Sequence, residues 1–303
     1  MSSILTNTAA MTALKNLQAT NSALQDTQNR ISTGLKVNSA ADNAGYWSIA
    51  TTMRSDKSSL DTVNTALGIG NSAVGTAYNG MNSAIGVAQK LKDQLVAAAQ
   101  SGADRTKIQA QVVQYQNQLQ QIADGSNFNG QNIISVDSSA ASYNATDSIM
   151  SSYTRTSAGV SIGTIDIDVG STKLFDANDK SGILDKNIGT GTVSVKTLDI
   201  SALTDSAADQ TTLTGLIKGV DDAIASMTTA ASNLGAVQSR IKDQQTFISS
   251  LSDSLTQGIS SLVDADMTTE STKLQALQVQ QQLGTQALSI ANQSSQSILK
   301  LFQ

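Results

Sequence analysis

Gly68-Ile69-Gly70-Asn71-Ser72-Ala73 has the glycine spacing of a dinucleotide-binding turn, in which bare backbone approaches a pyrophosphate at a helix N-terminus. Such a turn follows a strand, whereas this one lies within a run of helical spacing, so helix contact over small residues is the better reading. Asp176 to Gly182 resembles a calcium loop, but Lys180 stands where the third oxygen ligand belongs and the glycine comes one place late. Asp166 and Asp168 share one strand face, which solvation explains better than a bound hard cation. Asp264 and Asp266 lie near a helix junction and read as caps of the last helix. Tyr46 and Trp47 follow a polar link, where stacking on a ligand is conceivable but packing at a joint between helical segments is preferred.

The absences are more decisive than these motifs. None of the 303 residues is Cys, His or Pro, so a thiol nucleophile, a disulfide, an imidazole base and the usual zinc or haem ligands are all missing. Glu270 is the only glutamate, so paired-carboxylate chemistry would rest mainly on aspartates. Ser, Thr, Asn and Gln supply 120 residues, which means that neutral polarity stands where charge usually does. The chain is therefore read as a non-enzyme with no catalytic residues, metal or cofactor. A net charge of -5 with 19 scattered Lys and Arg argues against nucleic acid. No apolar run approaches the roughly 20 residues of a membrane span. Met1 to Leu5 lacks the basic-then-apolar order of a cleaved signal peptide, so export by another route is expected.

The elements that carry this composition are mostly helical. Ala10, Leu14, Leu17, Leu24 and Ile31 step by threes and fours with Asn21 and Gln28 in the gaps, which predicts a heptad helix with a nearly uncharged outer face. After Thr33, Gly34 and the link from Asn38 to Gly45, helical spacing resumes and runs to Leu95. Gly68, Gly70, Gly75, Gly80 and Gly86 weaken that segment and call for close approach of a partner helix. Ile108, Val112, Tyr115, Leu119 and Ile122 form the cleanest short seam, with Gly125 placed for a left-handed helix end. Asn127 to Gly130 predicts a tight turn.

From about Val136 to Ser206 the period falls to two. Ile165, Ile167 and Val169 alternate with aspartates, Gly170-Ser171 is placed to turn that strand back onto residues 172 to 175, and Val193 and Val195 suggest another strand. Helical spacing returns at Leu213 and continues through Leu234, Val237, Ile241, Ile248, Leu251, Leu255, Ile259 and Leu262. The last segment has two apolar stripes: Leu274, Leu277, Leu288, Ala291, Ile298 and Phe302 on one, and Ala276, Val279, Leu283, Ala287, Ile290 and Leu301 on the other. A helix with two apolar faces needs two sets of neighbours, so both chain ends are expected to associate with copies of themselves and to lack order until they do. Lipid is the weaker reading, because interfacial helices carry Lys and Arg where these carry Gln, Ser and Asn.

Ile31-Ser32-Thr33-Gly34-Leu35-Lys36-Val37-Asn38-Ser39, leading into Asp42-Asn43, resembles the signature of bacterial flagellin, the filament subunit. The opening Met1 to Asn7 is similar too, as are Phe128-Asn129-Gly130, Leu234 to Ile241, and Asp264-Ala265-Asp266 with the Gln-rich end closing in Leu299 to Phe302. The resemblance implies a mainly α fold, a long antiparallel helical coiled-coil bundle formed by the N- and C-terminal segments, with a small β-rich central insertion. Its parts would be an inner tube domain from residues 1–42 and 264–303, an outer tube domain from 43–136 and 207–263, and a projecting β-rich region at 137–206.

On that resemblance, Leu14, Leu17, Leu24, Ile31, Leu274, Leu277, Leu283, Leu288, Ile290, Ile298 and Phe302 are the self-assembly residues. Ile108, Val112, Tyr115, Leu119, Ile122, Val237, Ile241, Ile248, Leu251 and Leu255 would hold the outer coiled coil. Residues around 160 to 175 would include the hairpin to which supercoil switching is attributed in the family. The implied role is a structural subunit of the hollow, extracellular flagellar filament that drives motility; a hook-filament junction protein or another type III export substrate is the alternative. Implied partners are copies of itself, other flagellins, the flagellar export apparatus and an export chaperone, the junction proteins and the filament cap, with no nucleic acid and no membrane insertion. An animal Toll-like receptor reads Gln-Arg-x-Arg-Glu-Leu in many relatives. Gln89, Lys90, Asp93 and Gln94 stand in that segment here, so recognition is expected to be weak or absent.

Overall fold

In a computed structural model, the described residues are 7–141, 143–156, 159–188 and 192–300, with backbone alone from 294 onward. The helices are α1 (Thr8–Thr33), α2 (Ala44–Ala98), α3 (Arg105–Gly125), the short α4 (Val169–Thr172), α5 (Ala207–Val263) and α6 (Met267–Lys300). The strands are β1 (Ser135–Val136), β2 (Thr146–Thr156), β3 (Gly159–Asp168) and β4 (Phe175–Asp176). With no proline to interrupt them, α2 runs for 55 residues and α5 for 57. The chain divides into two compact units, residues 1–57 with 253–303, and residues 58–252.

In the first unit the Asn7 side chain accepts the Ala10 N–H and starts α1. Gly34, at φ 73°, ends it in the left-handed region that glycine enters at no steric cost. The chain then crosses the end of α5: Lys36 and Val37 donate N–H groups to the Val263 carbonyl at 2.7 and 3.3 Å, and Ala265 N–H reaches Gly34 O at 2.9 Å. Val37, Ala50, Ile259 and Val263 form the core under this crossing. Asp42 receives the Ser39 N–H and hydroxyl and the Asn38 N–H, which hold its carboxyl below the usual range. Asp266 does cap α6, accepting the Thr269 hydroxyl and the N–H groups of Thr268 and Thr269. Tyr46 and Trp47 depart from expectation. They are exposed, because Ala50 and Met53 occupy the inward positions of α2 at this joint.

In the second unit α2 carries a seam of buried positions, Leu60, Val63, Leu67, Gly70, Val74, Ala77, Met81, Ala84, Ala88, Leu91, Leu95 and Ala98, whose spacing alternates between three and four, with Gly80 and Val87 buried beside it. Helix α5 lies antiparallel to it, as three contacts along its length show: Ser252 Oγ to Asp61 at 3.2 Å, a Cβ built on Gly75 at 3.2 Å from Gln238, and Lys92 to Asp221 at 2.8 Å. The glycines of α2 divide their duties. Gly68 and Gly75 face α5, as a helix partner requires, but a Cβ on Gly70 would meet Ile149 of β2 at 2.6 Å and one on Gly80 would meet Ser126 and Ile134. At Gly70 the close approach is to strand β2, and at Gly80 to the end of α3 and the segment after it, rather than to α5.

Three further expectations are corrected. Gly125 stays inside α3, and Ser126, at φ -81°, caps the helix by donating its hydroxyl to Ile122 O, so no left-handed residue is needed. Strand β3 pairs antiparallel with β2 before it, not with the residues after it; Gly170 and Ser171 lie in the helical turn α4, and Phe175–Asp176 runs parallel to Ser135–Val136. Val193 and Val195 belong to no strand, and only an isolated bridge joins Asn187 to Ser194. Asn129 and Gly130 make the turn their types predict, with φ of 51° and 85°.

Short strands leave many polar groups to be satisfied by side chains. Gln109 clamps the next segment from both ends of its amide, donating to Leu198 O and accepting from Ile200 N, and Gln116 donates to Val195 O and Leu198 O. Arg105, with 6% of its side chain exposed, ties Ala98 O, Leu203 O and the Asp205 carboxylate together. Asp176 is fully buried, 2.6 Å from Lys173 Nζ, and also accepts from Ser138, Asn178 and Ser181. Burial opposes its ionisation, but the Lys173 ammonium and the Ser138 donors outweigh that and hold its carboxyl far below the usual range. Burial pushes the neighbouring Asp185 carboxyl up, against the Asp176 N–H and Lys196.

The two aspartates therefore oppose each other as pH falls. Asp176 stabilises fully above the unfolded carboxylate value of about 3.9, and this is lost progressively below it, while protonation of Asp185 relieves a cost already present at neutral pH. Asp176→Ala should strand the buried Lys173 and cost about 3–5 kcal/mol. Thermal melts followed by circular dichroism at pH 7 should show a large fall in Tm for the variant, and the gap from the parent should narrow at pH 3.

Candidate assembly surface

The residues predicted to drive self-assembly converge on α1 and α6, which pair antiparallel. Asn7 Nδ2 donates to Ala291 O at 2.9 Å, Gln281 Nε2 to Asn21 Oδ1 at 2.7 Å, and Arg30 meets Glu270 at 3.2 Å. Between them a Cβ built on Gly284 would lie 3.1 Å from Leu17 Cδ1, so the helices are close where one lacks a side chain. The charges also suit their helix ends: Arg30 sits in the last turn of α1 and Glu270 in the first turn of α6.

The covered face of α6 is narrow. From Glu270 to Gln293 the only residues not exposed are Glu270, Leu274, Leu277, Gln281, Gly284, Leu288 and Ala291, spaced four and three in strict alternation. The facing positions of α1 are Ala10, Ala13, Leu17, Thr20, Leu24, Thr27 and Ile31. Leu14, expected in this seam, is 45% exposed, because Ala13 occupies the inward position. Leu17, Leu24, Ile31, Leu274, Leu277 and Leu288 lie on the faces that α1 and α6 turn to each other.

The second stripe of α6 faces away. Val279, Leu283 and Ile290 are 55%, 57% and 67% exposed, with Ala276 one turn before them and Ala287 between the last two. On α1, Met11 and Leu14 are likewise open. Charge is sparse around them: α1 carries only Lys15 and Asp26 before Arg30, and α6 carries none between Lys273 and Lys300. An apolar stripe framed by Ser, Thr, Asn and Gln can be covered by protein without stripping water from ions. Ile298 lies among residues whose side chains are not described, and Phe302 lies outside the described residues.

Of the other predicted residues, Val112, Leu119, Ile241 and Ile248 are buried, while Ile108, Tyr115, Ile122, Val237, Leu251 and Leu255 are half-buried. Gln89, Lys90 and Asp93 are exposed and Gln94 is half-buried. No group of three or more His, Cys, Asp or Glu suited to a metal ion occurs among the described residues. Asp166, once weighed as a ligand, accepts the Ser148 hydroxyl across the β2–β3 pair. The Arg30–Glu270 pair escaped the sequence reading; the isolation of a single glutamate on a seam position was the signal available for it.

The sequence is similar to known proteins along its whole length. The model of the bacterial flagellin N-terminal helical region matches residues 4–139, and that of the bacterial flagellin C-terminal helical region matches residues 217–302. Flagellin C of Rhizobium meliloti (strain 1021) is 43% identical over 322 aligned positions, and Flagellin A of the same strain is 39% identical over 396. A flagellin of Brucella melitensis biotype 1 is 40% identical over 304. In all three alignments both chains are covered completely.

The open stripe yields a direct test. Leu283→Asp and Ile290→Asp should leave the helical content and Tm of the soluble chain unchanged, because both positions already face water, yet block polymerisation, since each unpaired buried charge costs several kcal/mol at every repeated contact. Sedimentation after induced assembly measures this, and pelleted polymer from both variants would refute a covered stripe.

Proposed function

This chain belongs to the bacterial flagellins, structural proteins that build the flagellar filament outside the cell, and on that premise we propose which of its surfaces do the building. The chain is a structural subunit that self-assembles into the filament. Helices α1 and α6 form the inner tube, with 1–42 and 264–303 as its chain segments, and the stripe from Ala276 to Ile290 is the surface laid against neighbouring copies. Residues 43–136 and 207–263 make the outer tube, and 137–206 project from it. The observation that carries this reading is the exposed, uncharged apolar stripe on a helix whose other face is already occupied.

Further partners follow from assembly outside the cell: the export apparatus and a chaperone that covers the apolar ends, the junction proteins that receive the first subunits, the cap under which later ones are added, and other flagellins in a mixed filament. No catalytic step is assigned. Purified chain, depolymerised and then seeded, should give filaments under negative stain; persistent monomer with intact helical content would overturn the assignment.

The animal receptor is a partner we expect to bind poorly. Leu91 is fully buried and Lys92 is engaged by Asp221, which leaves Lys90 and Asp93 as the exposed charges of the segment. Lys90 lacks the planar fork of arginine and Asp93 is one methylene shorter than glutamate. Gln94 puts an amide where the motif has an apolar leucine, and losses of about 1 kcal/mol at each of Lys90, Asp93 and Gln94 lower potency by about a hundredfold. A reporter-cell titration against a relative that retains the motif should show this shift, and equal potency would refute it.

A further inference from the structure

Asn129 and Gly130 form the turn between α3 and β1, at φ 51° and 85°. Phe128 and Gln131 close it, Phe128 N–H donating to Gln131 O at 2.8 Å and Gln131 N–H to Phe128 O at 3.0 Å. Left-handed backbone at both positions favours Asn followed by Gly. Asparagine is a thermolabile residue, and it loses its side-chain amide most readily before glycine, whose backbone nitrogen reaches the carboxamide with no side chain in the way. The turn therefore calls for the dipeptide that is chemically the least durable.

The attacking atom is tied down. The bonds that close the turn leave the Gly130 N–H without a backbone acceptor, and it donates instead to Asn127 Oδ1 at 2.9 Å. The Asn129 carboxamide, by contrast, is exposed and has no hydrogen-bond partner among the described residues. We propose that Asn129 is a site of spontaneous deamidation and that Asn127 is the positioning residue that slows it, by holding the Gly130 N–H away from base. In the reaction hydroxide takes the Gly130 amide proton, the nitrogen bonds to Asn129 Cγ, the Cγ–Nδ2 bond breaks, and ammonia leaves with a proton from water, which returns the hydroxide. Water then opens the cyclic succinimide at either carbonyl and gives aspartate or isoaspartate.

The chain carries its own comparison. Asn79-Gly80 is its other Asn-Gly pair, but it lies inside α2, where the helical ladder engages the Gly80 N–H and the glycine is buried against Ser126. Ring closure there must wait until that part of the helix opens, whereas at Asn129 the nitrogen is released by the loss of a single hydrogen bond. The products alter the turn in two ways. Isoaspartate lengthens its backbone by a methylene, and either product sets a carboxylate next to Gly130, which lines a surface cavity together with Asp124, Asp137 and Asp147. For a subunit that persists outside the cell, the rate of this step sets how long the α3–β1 turn keeps its shape.

The test follows the full chain in mildly alkaline buffer, with samples digested by trypsin at intervals. Cleavage after Lys57, Lys90, Lys107 and Arg155 puts the two pairs in separate peptides, 58–90 and 108–155. Fragmentation locates each amide that has become an acid, and chromatography separates aspartate from isoaspartate. In the parent, Asn129 should convert before Asn79, and more slowly than in chain unfolded by denaturant. Asn127→Ala should raise the Asn129 rate by about fivefold or more, the factor that one net hydrogen bond supplies, and leave Asn79 unchanged. Asn127→Asp, which keeps an acceptor oxygen, should stay near the parent rate. Hydrogen exchange in Asn127→Ala should show the Gly130 N–H losing protection while those of Phe128 and Gln131 keep theirs. An Asn129 rate that is unchanged in Asn127→Ala, or raised equally in Asn127→Asp, overturns the proposal. So does conversion of Asn79 first, or a rise that comes with exchange at all three amides, which would make Asn127 a simple stabiliser of the turn.

Discussion

A helix that is apolar on two sides can bury only one of them against a single partner, and α6 meets this limit with α1 as that partner. The seam from Glu270 to Ala291 takes every fourth and third residue and leaves the neighbouring stripe to solvent. Most other features of the first unit serve this arrangement. The Gly34 turn and the crossing of residues 35–37 over Val263 bring the start of α6 beside the end of α1, and the Asp266 cap starts α6 where Glu270 can reach Arg30.

The second unit solves a different problem. Its strands are few and short, and two of them have only two residues each. An isolated two-stranded ribbon is marginal in water, so β2 and β3 depend on α2, where Ile149 fills the space that Gly70 leaves open. Segments without strands are fixed by side chains that act as hydrogen-bonding clamps: Gln109 and Gln116 on α3, Arg105 at its start, and Asp176 with Lys173 in the middle of the β-rich part. Polar cores of this kind are unforgiving, because each member removed leaves another unsatisfied in a medium of low dielectric.

Whatever depends on one repeated distance was legible in the sequence. The heptads of α1, α2, α3, α5 and the two stripes of α6 emerged because apolar residues recur at three and four over many turns and no proline interrupts them. The Asn129-Gly130 turn was legible because its backbone demands those residue types. Strand β2 was not, since Thr146–Thr156 has only Ile149, Met150 and Tyr153 as large apolar residues and its pairing shifts register between Met150 and Ser152. Nor could alternation reveal that Phe175 would pair in parallel with Ser135, a contact between two-residue strands 40 positions apart. At the assembly surface both stripes of α6 were legible, but which of them α1 would cover was not, because that contact joins chain ends 240 positions apart and no local pattern carries it.

The unusual composition has a physical reading in the same helices. A hydroxyl moved from water to a protein interface costs free energy unless it keeps a hydrogen bond. Along the exposed faces these groups already have one: Thr12 and Thr33 of α1 donate to the carbonyls four residues back, and Thr272 and Thr285 of α6 donate within their own helix. The same bond recurs along α2 at Thr52, Thr62, Thr65 and Thr76, and along α5 at Thr211, Thr228 and Ser232. A lysine or glutamate in these places would have to shed its hydration or find a counter-ion when a neighbour arrived, whereas a threonine bonded to its own helix can pass from solvent to contact with its donor still satisfied. The back-bonded hydroxyl weakens a helix slightly, and in α2 and α5 that cost is offset by heptads long enough to bury a continuous seam. Soluble surface and prospective interface are thereby made from one set of residues, as a subunit that must exist both free and covered requires.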